Sequence, residues 1–251
     1  MHTLVPQIRY RPEGVRSAPM LIWRLPRPRL AIASGPLGGG LGLRYWVLNA
    51  TVPMSYRRDD PAVHLAELAD GLGLRGPGAG LLTGVDVTEV VTMADEGVTA
   101  WATVGLGLPT WAAEPATRLP RPGRSLDVGE RVAGGAAEGE AAANSAASIG
   151  THRIGTINVV LDIPARLADA ALVNLVATVA EAKAQALRDL DLPATGTPTD
   201  AVVILCDPDG PRAEYGGPRS VWGARVARAV HQAIVAGDGT VPWSEKQTVT
   251  N

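Results

Sequence analysis

Cysteine occurs once in the 251 residues, at Cys206. A single thiol excludes an intrachain disulfide and a cysteine-based zinc site, and it fits a reducing compartment. Histidine is sparse too. His2, His64, His152 and His231 are scattered, with no ligand spacing between any two, so no metal is expected. Nowhere is there an unbroken run of about 18 apolar residues, the length a membrane helix needs. The nearest candidate, Ala170 to Ala180, is interrupted by Asn174 and Thr178 and flanked by Asp169 and Glu181. The opening MHTLVPQIRYRPEG lacks the apolar stretch of a signal peptide. A cytoplasmic protein with no membrane partner is therefore expected. Charge excess is missing as well. With 23 basic and 25 acidic side chains and a formal net charge of −2, nothing pulls the chain toward nucleic acid. Phenylalanine is absent altogether, for no evident physical reason.

Hydrolase signatures are also lacking: there is no G-x-S-x-G elbow and no H-E-x-x-H pair. Gly71, Gly73 and Gly76 fit G-x-G-x-x-G but follow a helical segment instead of a strand, so the match is accidental. The glycine-rich stretch Gly35 to Gly42 invites comparison with phosphate loops, yet it has no Walker pattern.

What is present is a hydrophobic content of 46%, ample for the core of one domain. Residues 20–34 hold two short apolar runs split by prolines, which read as two strands joined by a turn. Residues 44–52 are rich in strand formers. Asp60 before Pro61 marks a helix start, and Gly71 its end. Residues 79–94 and 97–107 read as paired strands around Asp95-Glu96-Gly97. From 112 to 150 alanine, glycine, proline, arginine and glutamate dominate without a regular apolar period, as in a long irregular insertion. Beyond it come a strand at 155–164, a helix at roughly 167–190, a buried strand at 201–207 and a helix at 218–236. The expected class is α/β: a single domain with a mixed sheet packed by helices.

The 167–190 helix is the most informative element. Leu172, Leu175, Val176, Val179, Ala186, Leu187 and Leu190 share one face, and Asn174, Thr178, Glu181 and Gln185 form a narrow stripe opposite. The stripe is either a plain solvent face or, given the small residues that edge it, a surface for a ligand or buried loop. Lys183 stands in the apolar face. Its stem either snorkels to water, or its amine pairs with a buried carboxylate. The following loop, Thr195 to Asp200, concentrates three hydroxyls, a carboxylate and Gly196. It can act as a set of donors for an oxyanion or simply as a capped turn. Cys206 ends a buried strand and reads as a structural thiol.

These residues also carry a resemblance. GTINVV, the N…T..EAK.QAL helix and ATGTPTDAVV, in that order over residues 155–206, look like the core of the adenosylcobinamide amidohydrolases. YGGPRSVWGARVARAVHQA resembles that family's closing helix more loosely. In the first half, ASGPLGGGLGLRYWVLNATVP resembles a Ser…Gly-Gly…Asn segment, which carries over Ser34, Gly39, Gly40 and Asn49. LLTGVDVTE resembles a strand ending near an acid, here Asp86. ATVGLGLP departs from the pattern, with Leu108 and Pro109 where an asparagine is expected.

The resemblance implies hydrolysis of the amide joining aminopropanol to the corrin ring's propionate arm. Adenosylcobinamide would become adenosylcobyric acid in cobalamin salvage, with the corrinoid as substrate and no cofactor. For that chemistry the expected catalytic carboxylates are Glu181, first choice as base, Asp86 and Asp200. Lys183 is expected to anchor a carboxylate such as Asp200. Ser34, Gly39, Gly40, Asn49, Asn158, Asn174, Thr178, Thr195, Thr197 and Thr199 are the expected substrate-binding residues, with Thr197 as an alternative nucleophile. Two other readings stay open: a corrinoid- or small-molecule-binding protein without catalysis, and an amidase for another substrate. A homo-oligomer is compatible with all of them.

Overall fold

The computed structural model describes residues 4–114 and 155–240. In chain order the strands and helices are β1 (Gln7–Glu13), β2 (Arg16–Ala33), β3 (Gly40–Thr51), α1 (Pro61–Gly71), β4 (Gly78–Thr83), β5 (Val91–Asp95), β6 (Val98–Gly105), β7 (Thr156–Ile163), β8 (Arg166–Leu167), α2 (Asp169–Asp189), β9 (Ala201–Cys206), β10 (Arg212–Ala213) and α3 (Val221–Ala236). The long insertion expected over 112–150 falls, from residue 115 on, outside the described residues.

One sheet of eight strands runs β4-β3-β2-β9-β7-β6-β5, with β1 added on β2. It is mixed. β3/β4 and β7/β9 are parallel and joined through α1 and α2, because a parallel pair needs a crossover and a helix supplies it. The other neighbours are antiparallel. The mixed α/β architecture expected from the sequence is the one observed.

Several local expectations are corrected. Residues 20–34 are one strand, part of the 18-residue β2, and not two strands joined by a turn. Pro26 and Pro28 fall where the register with β3 shifts, between Arg24 and Arg29, so no ladder position loses a donor that it needs. The stretch 79–94 divides into β4, a 3-10 turn at Val87–Glu89 and β5. Asp60 precedes α1 as expected but makes no cap bond; its carboxylate takes Arg58 at 2.8 and 2.9 Å instead. α3 begins at Val221, capped by Ser220 Oγ, which accepts the Gly223 N–H at 3.1 Å.

The sheet curls until its two halves face each other. β4 and β7 have three strands between them in the sheet order, yet Asn158 Nδ2 on β7 donates to Leu82 O on β4 at 2.9 Å. Trp23 of β2 and Trp101 of β6 meet edge to face, with centroids 5.7 Å apart. Between the halves lies an inner core that includes Leu21, Trp23, Val47, Leu81, Trp101 and Val160. The outer face of β5, β6, β7 and β9 packs on α2 and α3 through Leu161, Ile163, Leu172, Leu175, Val230 and Ile234. Ile22, Trp46 and Leu48 pack against Leu65 and Ala69 of α1.

Candidate active site

Strand alternation decides what faces the inner core. On β3, Val47 is followed by Asn49 and Thr51; on β4, Leu81 is followed by Thr83; on β6, Trp101 is followed by Thr103; on β7, Val160 is preceded by Asn158 and Thr156. At one end of the core the inward positions thus change from apolar to hydroxyl and amide. All six of these polar residues are buried. Each finds a hydrogen-bond partner, as burial requires: Asn49, Asn158 and Thr103 bond one another, Thr51 and Thr83 hold the backbone at Val85, and Thr156 meets Thr199. Asn158 Nδ2 donates to Asn49 Oδ1 at 3.0 Å as well as to Leu82 O. Asn49 Nδ2 donates to Thr103 Oγ1 at 3.1 Å. Those contacts set which way the Asn158 amide points, and they leave its Oδ1 buried with no partner among the described residues.

The Thr51 hydroxyl extends this end of the core. It donates to Val85 O at 2.9 Å and accepts the Val87 N–H at 3.1 Å, so it grips the chain on both sides of Asp86. Asp86 Oδ1 caps the 3-10 turn, accepting from Thr88 N at 2.9 Å and Thr88 Oγ1 at 2.6 Å. A side chain on Gly105 would strike Val85 at 2.7 Å, which shows how closely this loop sits on the end of β6, where Gly105 pairs with Thr156 at the start of β7.

The loop before β9 completes the same end. Asp200 is its hub. Oδ1 accepts Ile157 N–H at 2.8 Å and the Thr197 hydroxyl; Oδ2 accepts Thr197 N–H at 2.9 Å and Lys183 Nζ at 2.5 Å. Lys183 reaches it from α2 with its side chain 18% exposed, so the amine meets a carboxylate instead of snorkelling to water. Thr199 Oγ1 contacts Thr156 Oγ1 at 2.6 Å, and Thr195 Oγ1 accepts the Ala112 N–H at 2.8 Å. The loop therefore ties together β7, α2 and the segment after β6.

Gly196 is the tightest point of this hub. An added Cβ would lie 2.6 Å from both Lys183 Nζ and Asp200 Oδ2. Gly196→Ala is expected to push the ion pair apart and to lower stability by about 1–3 kcal/mol, the cost of overpacking a filled site. Thermal denaturation of the variant beside the parent chain checks it; an unchanged melting temperature would show that the pair can yield.

The structure thus brings Asn49, Asn158, Asp86, Thr195, Thr197, Thr199, Asp200 and Lys183 to one end of the sheet. Ser34 borders it, holding Val202 through Ser34 Oγ at 3.0 Å and its own N–H at 2.9 Å. Gly39 and Gly40 lie elsewhere, at the entry to β3, where Gly40 O takes Arg44 Nη2 at 3.4 Å. The stripe on α2 divides. Thr178 is buried and donates to Gly216 O at 2.8 Å, stitching α2 to the chain before α3, while Asn174, Glu181 and Gln185 are exposed. Two residues along a helix turn the side chain by roughly 200°. Glu181 therefore projects away from the side on which Lys183 meets Asp200. Thr51, Thr83, Thr103 and Thr156 were not singled out by sequence reasoning, although their position at the inward phase of four strands was a usable signal. Cys206 is buried, and burial pushes its thiol pKa up, as suits a structural residue. Among the described residues no cluster of three or more His, Cys, Asp or Glu could hold a metal, and no helix is long and apolar enough to cross a membrane.

A family model described as adenosylcobinamide amidohydrolase matches residues 1–240. A protein of Methanosarcina mazei with that name is 27% identical over 216 residues, which cover 82% of this chain and 88% of the relative. Another of the same name, from Halobacterium salinarum, is 46% identical over 83 residues, 33% of this chain and 35% of that protein. With a match that takes in both described segments, the chain belongs to the adenosylcobinamide amidohydrolase family and is an amidohydrolase.

Proposed function

We propose that the chain hydrolyses the amide between aminopropanol and the propionate arm of adenosylcobinamide, releasing adenosylcobyric acid in a salvage step toward cobalamin. The observation that carries this reading is the family match over residues 1–240. The polar end of the inner core supplies chemistry that suits it.

Amide hydrolysis needs a base for water, donors for the tetrahedral oxyanion and a proton for the departing amine. Asp86 is assigned the base. It takes a proton from water as the water oxygen bonds to the amide carbon, and it returns that proton to nitrogen as the C–N bond breaks. Thr51 fixes its position, and Asn49 lies two residues from Thr51 on the same strand face. The unpartnered Asn158 Oδ1 suits acceptance of the substrate amide N–H. Thr195, Thr197 and Thr199 line the loop that Asp200 and Lys183 hold rigid. Asp200, with four donors on its two oxygens, acts through that loop. Ser34 borders the substrate, Gly39 and Gly40 stand apart from it in the turn into β3, and Asn174 and Thr178 support the far side of α2. Glu181 is left as a second carboxylate outside the chemistry.

A second reading rests on one contact: the Thr197 hydroxyl donates to Asp200 Oδ1, an arrangement that also suits a threonine nucleophile. Incubation with adenosylcobinamide, followed by mass spectrometry, tests the reaction. Cobyric acid and aminopropanol are expected in equal amounts. Binding without cleavage would point to a corrinoid-binding protein, and absence of both would point to an amidase for another substrate. A Thr197→Val variant that keeps turnover removes the nucleophile reading.

A further inference from the structure

The glycine-rich stretch that matches no phosphate loop builds a second site, away from the polar end of the inner core. Between α1, the start of β4 and the turn before β3 lies a pocket of about 370 Å³, within the range of about 300–1,000 Å³ typical of small-molecule sites. Leu37, Ala66, Ala69, Leu74 and Pro77 give it apolar walls, and Trp46 and Arg44 also line it.

Arg44 is the unusual member. Only 7% of its surface is exposed, yet no carboxylate among the described residues lies within ion-pair distance. Its donors reach only neutral carbonyls: Gly38 O at 2.7 and 3.2 Å, Leu43 O at 2.9 Å and Gly40 O at 3.4 Å. Carbonyls solvate a guanidinium but do not neutralise it, and buried charges in folded proteins are normally paired. Burial alone pulls its pKa down, with no charged neighbour acting the other way. The acid on the pocket wall, Asp70, is 77% exposed at its side chain and pairs with Arg75 at 2.6 Å.

Glycines clear the space. A Cβ on Gly42 would lie 2.7 Å from Arg44 Nη1, and one on Gly78 would lie 2.1 Å from the Trp46 ring. Gly38 has φ of +67° and would strike Gly78 O at 1.9 Å with any side chain. The sequence thus keeps small residues where larger ones would close the pocket or displace the cation.

We propose that this pocket binds a small ligand carrying one carboxylate or phosphate on a compact apolar body, with Arg44 as its counter-charge. The site is independent of the amide-cleaving end, and either assignment can fail alone.

Titration calorimetry of the full chain with benzoate, phenyl phosphate and the neutral benzamide tests it. Saturable binding of at least one anion is expected, with benzamide at least tenfold weaker. Benzoate alone identifies a carboxylate ligand, and phenyl phosphate alone a phosphate. Arg44→Met should weaken the anion at least tenfold. Because Arg44 also fastens its turn, Ala66→Phe serves as the second variant. Ala66 is exposed on α1, and a phenyl ring there fills the pocket while leaving the Arg44 contacts in place. This variant should abolish binding. No saturable binding of either anion, benzamide binding as well as benzoate, or full binding by a folded Ala66→Phe variant would each overturn the proposal.

Discussion

Replacing Lys183 with methionine is expected to cost about 3 kcal/mol of folding stability, the lower end of what breaking a buried ion pair does. Methionine keeps the stem's volume and its helix propensity, so packing on α2 changes little. What changes is Asp200. Its side chain is 11% exposed, and it would keep a full charge after losing its cation. The N–H groups of Ile157 and Thr197 and the Thr197 hydroxyl would remain, which limits the loss. Asp200→Asn alone should also destabilise, because the new amide N–H must face a donor at one of those contacts. The double variant should recover part of the sum, giving a coupling energy above about 1 kcal/mol in a double-mutant cycle. Urea unfolding of the four proteins measures this. Additive losses would mean that the two side chains do not act as a pair.

That pair shows what a single sequence can reveal about a site. Lys183 is legible because it interrupts an otherwise apolar helix face, and a buried amine needs an acid. Asp200 is within reach because the loop and α2 are consecutive. Asn49 and Asn158 are different. They lie 109 residues apart and meet only because the sheet curls, which no local period encodes. Resemblance, not spacing, put them on one list. Glu181 shows the limit of the helical wheel. The wheel places it opposite the apolar face, but cannot say whether that side meets a ligand, a loop or water; here Thr178 of the same stripe meets a loop and Glu181 is exposed.

The fold was legible where one face of a strand meets helices. β6, β7 and β9 alternate or run continuously apolar, and α2 and α3 carry clear 3.6-residue periods. β1 was hidden because Gln7, Arg9 and Arg11 give it the look of a polar leader; it is a strand through its pairing with β2, not through its own composition. The length of β2 was hidden by Pro26 and Pro28, which ordinarily end strands. In this sheet they fall at the register shift, where a missing N–H costs nothing.

Asp86→Asn carries the largest expected effect on turnover: a loss of about 10²–10⁴-fold in kcat, the usual contribution of a positioned general base. The substitution is chosen to separate two roles. Asp86 Oδ1 caps the 3-10 turn through Thr88 N and Thr88 Oγ1, and asparagine retains an oxygen there with nearly equal capping preference. The 3-10 turn should therefore keep its cap, and the loss should fall chiefly on the ability to take a proton. A structural role would instead show as a lower melting temperature with a modest change in rate. Glu181→Gln provides the contrast. Glu181 is exposed and turned roughly 200° from Lys183 about the helix axis, so its loss should leave kcat within about twofold. Single-turnover rates with adenosylcobinamide, measured beside thermal stability, distinguish the two. Full activity in Asp86→Asn with collapse in Glu181→Gln would move the chemistry from the polar end of the inner core to the outer side of α2.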